Sequence, residues 1–470
     1  MSRAGAGTDW DLVVVGGGGC GLAGAIAAAQ EGARVVLLEK SEHLGGNTAR
    51  SIGSVPGAGT RFQVAAGIAD DPQRFFRDLW ARTGGRGDSG PTRRMCEVSA
   101  GLVHWLVDDV GVDLRLTTDY KHVAHSVNRL HNPPSREGAE LIASLEGKAR
   151  ALGVVIELEA PVHEIAVHDD AIAARVGEGD TKEDWLSGES VLLATNGFGG
   201  APDLVEEYCG RAGALSYFGA PSNTGDGLRW GRCLGARLAN LDSYLGYAVM
   251  AVPLEGPATY ETLFSWTILE IGGIAVDSVG RRFGNEDEGY SAFSDTVLAN
   301  GGGRCHVVFD QRMMEYVTAH EPRFANLVAR TDSPVQRAED LGALAAALGV
   351  EPGHLKRSVQ EYAAAASAER PDQFGRTEFG MAPLQGPFYG CRTEPGILTT
   401  QGGVVVDDHS RVVLESGDVL HRVYAGGSAA AGISGNQGAQ GYASGNGLLT
   451  ALGYGMLAGR HVAGRRGVSV

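Results

Sequence analysis

Apolar positions near the amino terminus fall into two runs too short for helices. Residues 11–15, Asp-Leu-Val-Val-Val, are followed by Gly16-Gly17-Gly18-Gly19-Cys20-Gly21 and then by an alanine-rich stretch reaching Gln30. Residues 34–38 form the second run, which ends at Glu39. Short apolar runs bounded by glycine read as buried strands, and the alanine-rich stretch between them reads as a helix. The pattern predicts a β-α-β unit of about 30 residues.

Further along, 141–152 has helical spacing, 154–158 reads as a strand, and a polar-edged meander returns at Ser190-Val191-Leu192-Leu193-Ala194. Three strands of this segment are expected to form a small sheet. From Pro253 to Pro387 the text changes to short strands and charged helices, with alanine-rich helices expected over 338–348 and 354–368. Glycine-rich strand text returns at 396–406 and 423–425, and a last helix is expected over 446–463. The implied fold class is α/β: a discontinuous Rossmann-like domain built from residues 1–250 and 389–470, with an α+β capping domain inserted over 251–388.

Composition narrows the class. An apolar fraction of 43% over 470 residues is ample for a continuous core. Cys20, Cys96, Cys209, Cys233, Cys305 and Cys391 are scattered, with no metal-ligand or redox spacing, so no metal site or disulfide framework is expected and a reducing compartment fits. No apolar run approaches the roughly 20 residues of a membrane span, and no signal-like segment precedes the first strand; a cytoplasmic protein is expected. A net charge of −16 disfavours nucleic acid and anionic membranes as partners. Glycine accounts for 71 of the 470 residues, about twice the usual ~7% share, and the glycines cluster after apolar runs, where backbone packs against ligands.

Gly16, Gly18 and Gly21 fit the G-x-G-x-x-G spacing: a tight turn, close approach to a pyrophosphate, and close helix–strand contact. The helix start beyond them offers N–H groups to phosphates, and Glu39, 18 residues after Gly21, can accept ribose hydroxyls. A glycine-rich turn without a ligand is the alternative. Three further clusters favour FAD over NAD as the dinucleotide. Lys40-Ser41 and then Gly45-Gly46-Asn47-Thr48 suit a loop around a long cofactor; Ala194-Thr195-Asn196-Gly197 ends a strand beside the adenosine half; and Asn223-Thr224-Gly225-Asp226 opens a helix, with Asp226 meeting the cofactor or capping that helix.

Together these motifs resemble the FAD-dependent fumarate reductase and succinate dehydrogenase flavoprotein superfamily. The likeness spans nearly the whole chain, through Gly272-Gly-Ile-Ala-Val276, Gly280-Arg-Arg-Phe283-Gly-Asn285-Glu286, Thr400-Gln-Gly-Gly403 and Val423-Tyr-Ala-Gly-Gly427. It implies non-covalent FAD under a capping domain. Ser444-Gly445-Asn446 before the last helix would face the flavin's pyrimidine edge, where a helix start stabilises negative charge by about 0.3–2 kcal/mol. No second dinucleotide fingerprint is present, so no bound NAD site is expected and the electron donor or acceptor stays open.

Two positions depart from the dicarboxylate reductases of this superfamily. Where these resemble one another in an arginine four residues after the motif glutamate, this chain has Tyr290; where a second arginine precedes the last helix, it has Tyr442. Tyrosines suit a neutral carbonyl-activated C–C bond, and the arrangement is similar to the 3-ketosteroid dehydrogenases, with Tyr442-x-Ser444 closest to the Δ4-(5α) group. The implied substrate is a small ketone or enone, with a steroid as the leading candidate. Tyr290, alone or relayed through Tyr442 and Ser444, would take the proton α to the carbonyl while the β hydrogen leaves as hydride to flavin N5. Tyr120, Trp105 and Trp266 are either cavity walls or core, and His122, His125 and His131 read as a solvated or FAD-edge loop. Alternatives are a flavin-dependent reductase of an α,β-unsaturated acid or enone and a non-catalytic flavin electron-transfer subunit.

Overall fold

The two amino-terminal apolar runs become neighbouring strands. In the computed structural model, which describes residues 9–118, 122–177 and 184–466, Leu12–Val15 pairs in parallel with Val35–Leu38 and with Val191–Leu193. The six-stranded sheet continues to Val155–Glu157 beyond Val35–Leu38, and to Val419–Ala425 and Arg411–Val413 beyond Val191–Leu193. The central strands are buried along their whole length, which is why they read as unbroken rather than alternating apolar runs.

Helix Gly19–Gln30 crosses between the first two strands and packs on the terminal helix Asn446–Arg466. The contact is backbone on backbone. A methyl group at Gly455 or Gly459 would stand 2.3 Å from the carbonyl oxygens of Cys20 or Gly24. The carboxy-terminal segment therefore completes the amino-terminal fold.

A three-stranded antiparallel sheet of Val162–Val167, Ile172–Val176 and Asp184–Gly188 does form in the middle segment. The runs expected to flank it, 154–158 and 190–194, join the parallel sheet instead. Val191–Leu193 is fully buried, and only a central strand can accommodate such a run.

The second large sheet is organised around Phe388–Thr400, which pairs with Ser216–Tyr217, Tyr244–Ala251, Cys305–Asp310 and Val335–Ala338. Its strands come from both sides of residues 250 and 388. A separate apolar core of Phe264, Phe293, Phe309 and Tyr362 lies on it. The stretch expected as one helix over 338–348 divides: Val335–Ala338 is a strand, and Asp340 caps the helix Leu341–Leu348 by accepting the Gly342 and Ala343 N–H groups. The next two helices are Pro352–Ser367 and, at the end of the chain, Asn446–Arg466.

Among the described residues no helix is long and apolar enough to cross a membrane.

Candidate active site

A cleft runs along the carboxyl ends of the parallel strands, where ligands bind in open α/β sheets. Gly16, Glu39, Ala194 and Gly427 enter it from that edge, and Leu245, Tyr260 and Leu398 face them. At the turn, Gly16 has φ 108°, a conformation that favours glycine. A methyl group at Gly21 would sit 1.9 Å from the Gly16 carbonyl oxygen, so only glycine lets the helix press on the turn. Gly18 is different: a methyl there would meet nothing nearer than Gly45 O at 3.7 Å, and Gly18 lines the cleft.

Helix Gly19–Gln30 starts with no side-chain cap and no acidic residue in its first turn. Its first N–H groups face the cleft as an anion site, with Gly19 N–H only loosely held by Thr48 Oγ1 at 3.3 Å. Glu39 is held on both oxygens: Oε2 accepts the Gly17 N–H at 2.7 Å and Oε1 the Ser41 N–H at 2.8 Å. Each oxygen keeps a lone pair for a ribose diol. Near the start of the terminal helix, the buried Asn446 Oδ1 has no partner among the described residues. An uncapped helix start and an anchored carboxylate along one cleft, with an unsatisfied buried acceptor just behind its lining, fit a long dinucleotide carrying a polar ring system.

The other predicted cofactor residues divide. Gly46, Asn47, Thr48 and Thr195 line the cleft. The Asn47 side chain is occupied: it accepts the Ala220 N–H at 2.6 Å and donates to Leu398 O at 3.1 Å, tying the two sheet regions together. Lys40 and Asp226 also line the cleft and pair at 2.8 Å, with Thr224 Oγ1 accepting from Lys40 at 2.6 Å. The cap of helix Asp226–Cys233 is Gly225, with no side-chain bond, so Asp226 is a partner of Lys40 rather than a cap. Gly197 does not line the cleft; a methyl there would strike Thr400 Oγ1 at 2.1 Å, so it serves close packing. Ser444, Gly445 and Asn446 stand behind Tyr442, Gly447 and Leu448, which reach the cleft. Asn196, from the Ala194–Gly197 cluster, lines it as well, as do Arg50, Tyr260 and Thr399, which the sequence motifs do not single out. Arg50 had a local signal, since it follows Gly-Gly-Asn-Thr in the same short helix, Gly46–Arg50.

Behind Tyr442, which lines the cleft, several segments converge, and neither Tyr290 nor Ser444 is among the lining residues. Tyr290 is on helix Gly289–Asn300, and its hydroxyl stands 3.4 Å from Ser444 Oγ. The ring of Tyr442 is 6.2 Å from that of Tyr290, Tyr247 is 5.5 Å away and Trp266 6.5 Å. Burial pushes the Tyr442 hydroxyl up to about 12, partly relieved by the Gly447 N–H, so it is a neutral donor near pH 7. Trp266 is buried with its Nε1 unpartnered among the described residues. Trp105 is core, donating to Gln30 Oε1 at 2.9 Å. Tyr120 lies outside the described residues.

Glu286 explains the Arg-Arg-Phe-Gly-Asn-Glu motif. It is buried, accepts the Ala275 N–H at 2.9 Å, and is bridged by Arg282 at 2.6 Å and Arg376 at 3.2 Å. Burial pushes its carboxyl up, but the two guanidiniums outweigh that and hold it below the usual range. The strand Ile274–Val276 and the start of the Tyr290 helix are locked together by this carboxylate.

The histidine stretch is buried rather than solvated, with His122, His125 and His131 at most 8% exposed. Arg129 is wholly buried, ion-paired with Asp70 at 2.9 Å and Asp78 at 2.7 Å, and donates to His125 Nδ1 at 3.1 Å. His125 Nε2 then donates to Ser444 O at 2.8 Å. Burial, then the neighbouring Arg129 charge, push His125 down to about 4, so it is neutral. An ionic chain thus fixes the backbone of Ser444, and nothing in the spacing of those residues announced it.

This architecture defines a dinucleotide-binding flavoprotein. The family described as FAD binding domain matches residues 11–447; the chain belongs to these FAD-binding flavoprotein oxidoreductases, and FAD is its cofactor. It is 30% identical over 463 residues to the NADH:fumarate oxidoreductase of Klebsiella pneumoniae, covering 97% of this chain but 48% of that protein, so it spans about half of that relative's length. It is 28% identical over 459 residues to the vinyl phenol reductase of Lactiplantibacillus plantarum, covering 91% of each. Its fold is similar to that of 3-ketosteroid Δ4-(5α)-dehydrogenase from Rhodococcus jostii, solved with 4-androstene-3,17-dione, with a TM-score of 0.76, 24% identity and 98% of each chain covered.

Proposed function

We propose that this chain is an FAD-dependent oxidoreductase acting on a CH–CH bond beside a ketone, with a 3-ketosteroid as the leading substrate class. The observation that carries the reading is the meeting of Tyr290, Ser444 and Tyr442, from segments about 150 residues apart in sequence, where the diacid-handling relatives resemble one another in arginines. Gly16, Gly18, the start of helix Gly19–Gln30 and Glu39 would hold the pyrophosphate and ribose; Gly46, Thr48, Thr195 and Gly427 would border the cofactor; Gly447 and Leu448 would meet the ring end, with Asn446 behind them. FAD supplies the two-electron hydride acceptor in dehydrogenation, or the donor in reverse.

The chain's own residues handle the proton. Tyr442, held neutral, donates a hydrogen bond to the carbonyl oxygen and stabilises enolate character as the α C–H bond breaks. The α proton passes to Tyr290 oxygen as the phenol proton moves to Ser444 Oγ, 3.4 Å away, and the serine releases its own proton to water. Trp266 and Tyr247 wall that end against water. The six unpaired cysteines suit a reducing compartment.

Anaerobic mixing with 3-ketosteroids and simple enones tests this reading in a single turnover, with no external acceptor: the flavin should bleach, or the reduced flavin should reoxidise with the enone. Tyr290→Phe should lower that rate by about a hundredfold while FAD stays bound. Unchanged turnover in the variant discards the assignment. Arg50, a cleft-lining cation whose guanidinium stacks 5.2 Å over the Tyr260 ring, supports a second reading, reduction of an α,β-unsaturated acid. Faster reoxidation by fumarate or acrylate than by any neutral enone would favour it. A flavin that no small substrate bleaches or reoxidises points to an electron-transfer subunit.

A further inference from the structure

We propose that Arg82 is a positioning residue that clamps the two tyrosine-bearing segments together and sets the charge field in which Tyr290 exchanges its proton. The inference rests on the role given to Tyr290 above, and it starts from an unusual set of partners. Arg82 ends the helix Pro72–Arg82, and its guanidinium reaches two backbone carbonyls, not a carboxylate. Its Nε donates to Tyr442 O at 3.1 Å and its Nη2 to Glu288 O. Those oxygens belong to the segments that carry Tyr442 with Ser444 and Tyr290. A rigid planar fork fixes the spacing of its two acceptors better than a flexible ammonium could. One side chain therefore sets the separation across which the Tyr290 hydroxyl and Ser444 Oγ meet.

The second feature is charge. Among the described residues Arg82 forms no ion pair within 4.0 Å. Glu288 contributes to its field, but Glu288 Oε2 accepts the Thr296 hydroxyl at 2.8 Å. Burial draws the Arg82 pKa down, and the attraction of Tyr290 and then Glu288 opposes this; a guanidinium nevertheless stays protonated at any working pH. Among the described residues the result is a half-buried cation paired to no carboxylate, beside a phenol that must give up its proton to act as a base.

Among the described residues, the other groups named beside Tyr290 carry no positive charge of their own toward it. Tyr442 and Tyr247 are phenols kept protonated by burial, Ser444 is a hydroxyl, and Glu288 is negative. His125, one bond behind Ser444, is neutral, and Glu321 and Glu270 are acidic neighbours of Tyr247. Glu286 lies on the same loop but is neutralised by Arg282 and Arg376. Free tyrosine titrates near 10, too high for a base near neutrality, and a nearby cation in a low-dielectric wall lowers such a value by about 1–3. Arg82 meets that need from a helix remote from both motifs.

The test uses purified holoprotein and needs no substrate at its first stage. Phenolate absorbance is titrated in the wild type, and the component lost in Tyr290→Phe is assigned to Tyr290. In Arg82→Gln that component should move up by about one pH unit or more, with the pH limb of single-turnover flavin bleaching by a 3-ketosteroid moving in parallel. Arg82→Lys, which keeps the charge but loses the fork, should leave the midpoint near the wild-type value while slowing turnover. Glu288→Gln, which leaves the guanidinium in place, should move the midpoint down, and it serves as the deciding variant if Arg82→Gln does not retain FAD. A midpoint unmoved in Arg82→Gln, one displaced as far by Lys as by Gln, or one unmoved in Glu288→Gln overturns the proposal. If Tyr290→Phe keeps full turnover while the titration still responds to Arg82, the catalytic reading of Tyr290 fails and the electrostatic coupling stands.

Discussion

The two ends of the cleft are built on opposite principles. At the nucleotide end the ligand-facing surface is mostly backbone: Gly16, Gly18, the uncapped start of helix Gly19–Gln30, and one carboxylate pinned by two N–H groups. At the end proposed for the chemistry it is side chains: Tyr442 lines the cleft, Tyr290 and Ser444 stand behind it, and Glu286, Arg82 and the Arg129–His125 chain, buried or half-buried ions or their neutral relays, hold the segments that carry them. A backbone site tolerates little change of residue size but needs no charged scaffold. A side-chain site assembled from distant segments needs that scaffold, because no local turn holds its members in place. Damage to the first should remove the cofactor; damage to the second should spare the cofactor and slow the chemistry.

The largest expected separation comes from Gly21→Val. Its first side-chain carbon would fall 1.9 Å from the Gly16 carbonyl oxygen, and backbone cannot move aside as a flexible side chain can. A cost of more than about 3 kcal/mol is expected, together with loss of the flavin spectrum from whatever folds. Tyr290→Phe removes one hydroxyl at the opposite end and should retain that spectrum in full. Holoprotein of wild-type thermal stability from Gly21→Val would erase the contrast between the ends.

Next in size is Arg129→Met. Asp70 has no exposed side-chain surface and loses its ion-pair partner in this variant; stranding a buried charge costs about 3–5 kcal/mol. The same change removes the donor to His125 Nδ1, and so loosens the grip on Ser444 O. Denaturant melts should show the lost stability, and the double variant Asp70→Asn with Arg129→Met should recover part of it. Single-turnover rates should fall more than flavin content does. Equal loss of flavin and rate would place this network under the whole fold and not the chemical end.

The same contrast governs what could be read from the chain. Gly16, Gly18, Gly21 and Glu39 fall within 24 consecutive residues, and their spacing is itself the geometry of the turn, so the nucleotide end was legible. Tyr290 and Tyr442 became visible only through the resemblance, as departures from an expected pair of arginines. Arg82 and Arg129 left no trace, because a guanidinium that binds backbone carbonyls or distant aspartates imposes no local pattern. The histidines read as a solvated or FAD-edge loop, and burial overturns the solvated half of that reading, because their shared polarity hides the buried Arg129 that satisfies His125 without water. Which three strands of 139–193 make the small sheet stays open in the sequence for a different reason: a short apolar run reads the same in a small sheet and in a large one, and only long-range pairing puts 154–158 and 190–194 in the parallel sheet.

The smallest effect is a matter of pH. His125 ordinarily titrates near 6.5 and is held at about 4, first by burial and then by the Arg129 charge. Below about 6.5 the unfolded chain therefore binds a proton that the folded chain refuses, and stability falls as pH drops until the folded group also titrates near 4. Above 6.5 the group has no influence. His131 is held at about 4 as well and contributes over the same window, so the total slope belongs to more than one residue. In His125→Asn, denaturant melts taken from about pH 7.5 to about pH 4.5 should show a linkage slope near pH 5 smaller by about one proton, which over the window amounts to roughly 1–3 kcal/mol. Flavin content at fixed cofactor excess should hardly change across that range, because Ser444 and not the nucleotide turn is what His125 supports. A slope identical to the wild type would mean that His125 accepts its proton in the folded protein and that the chain from Arg129 to Ser444 O is rearranged in solution.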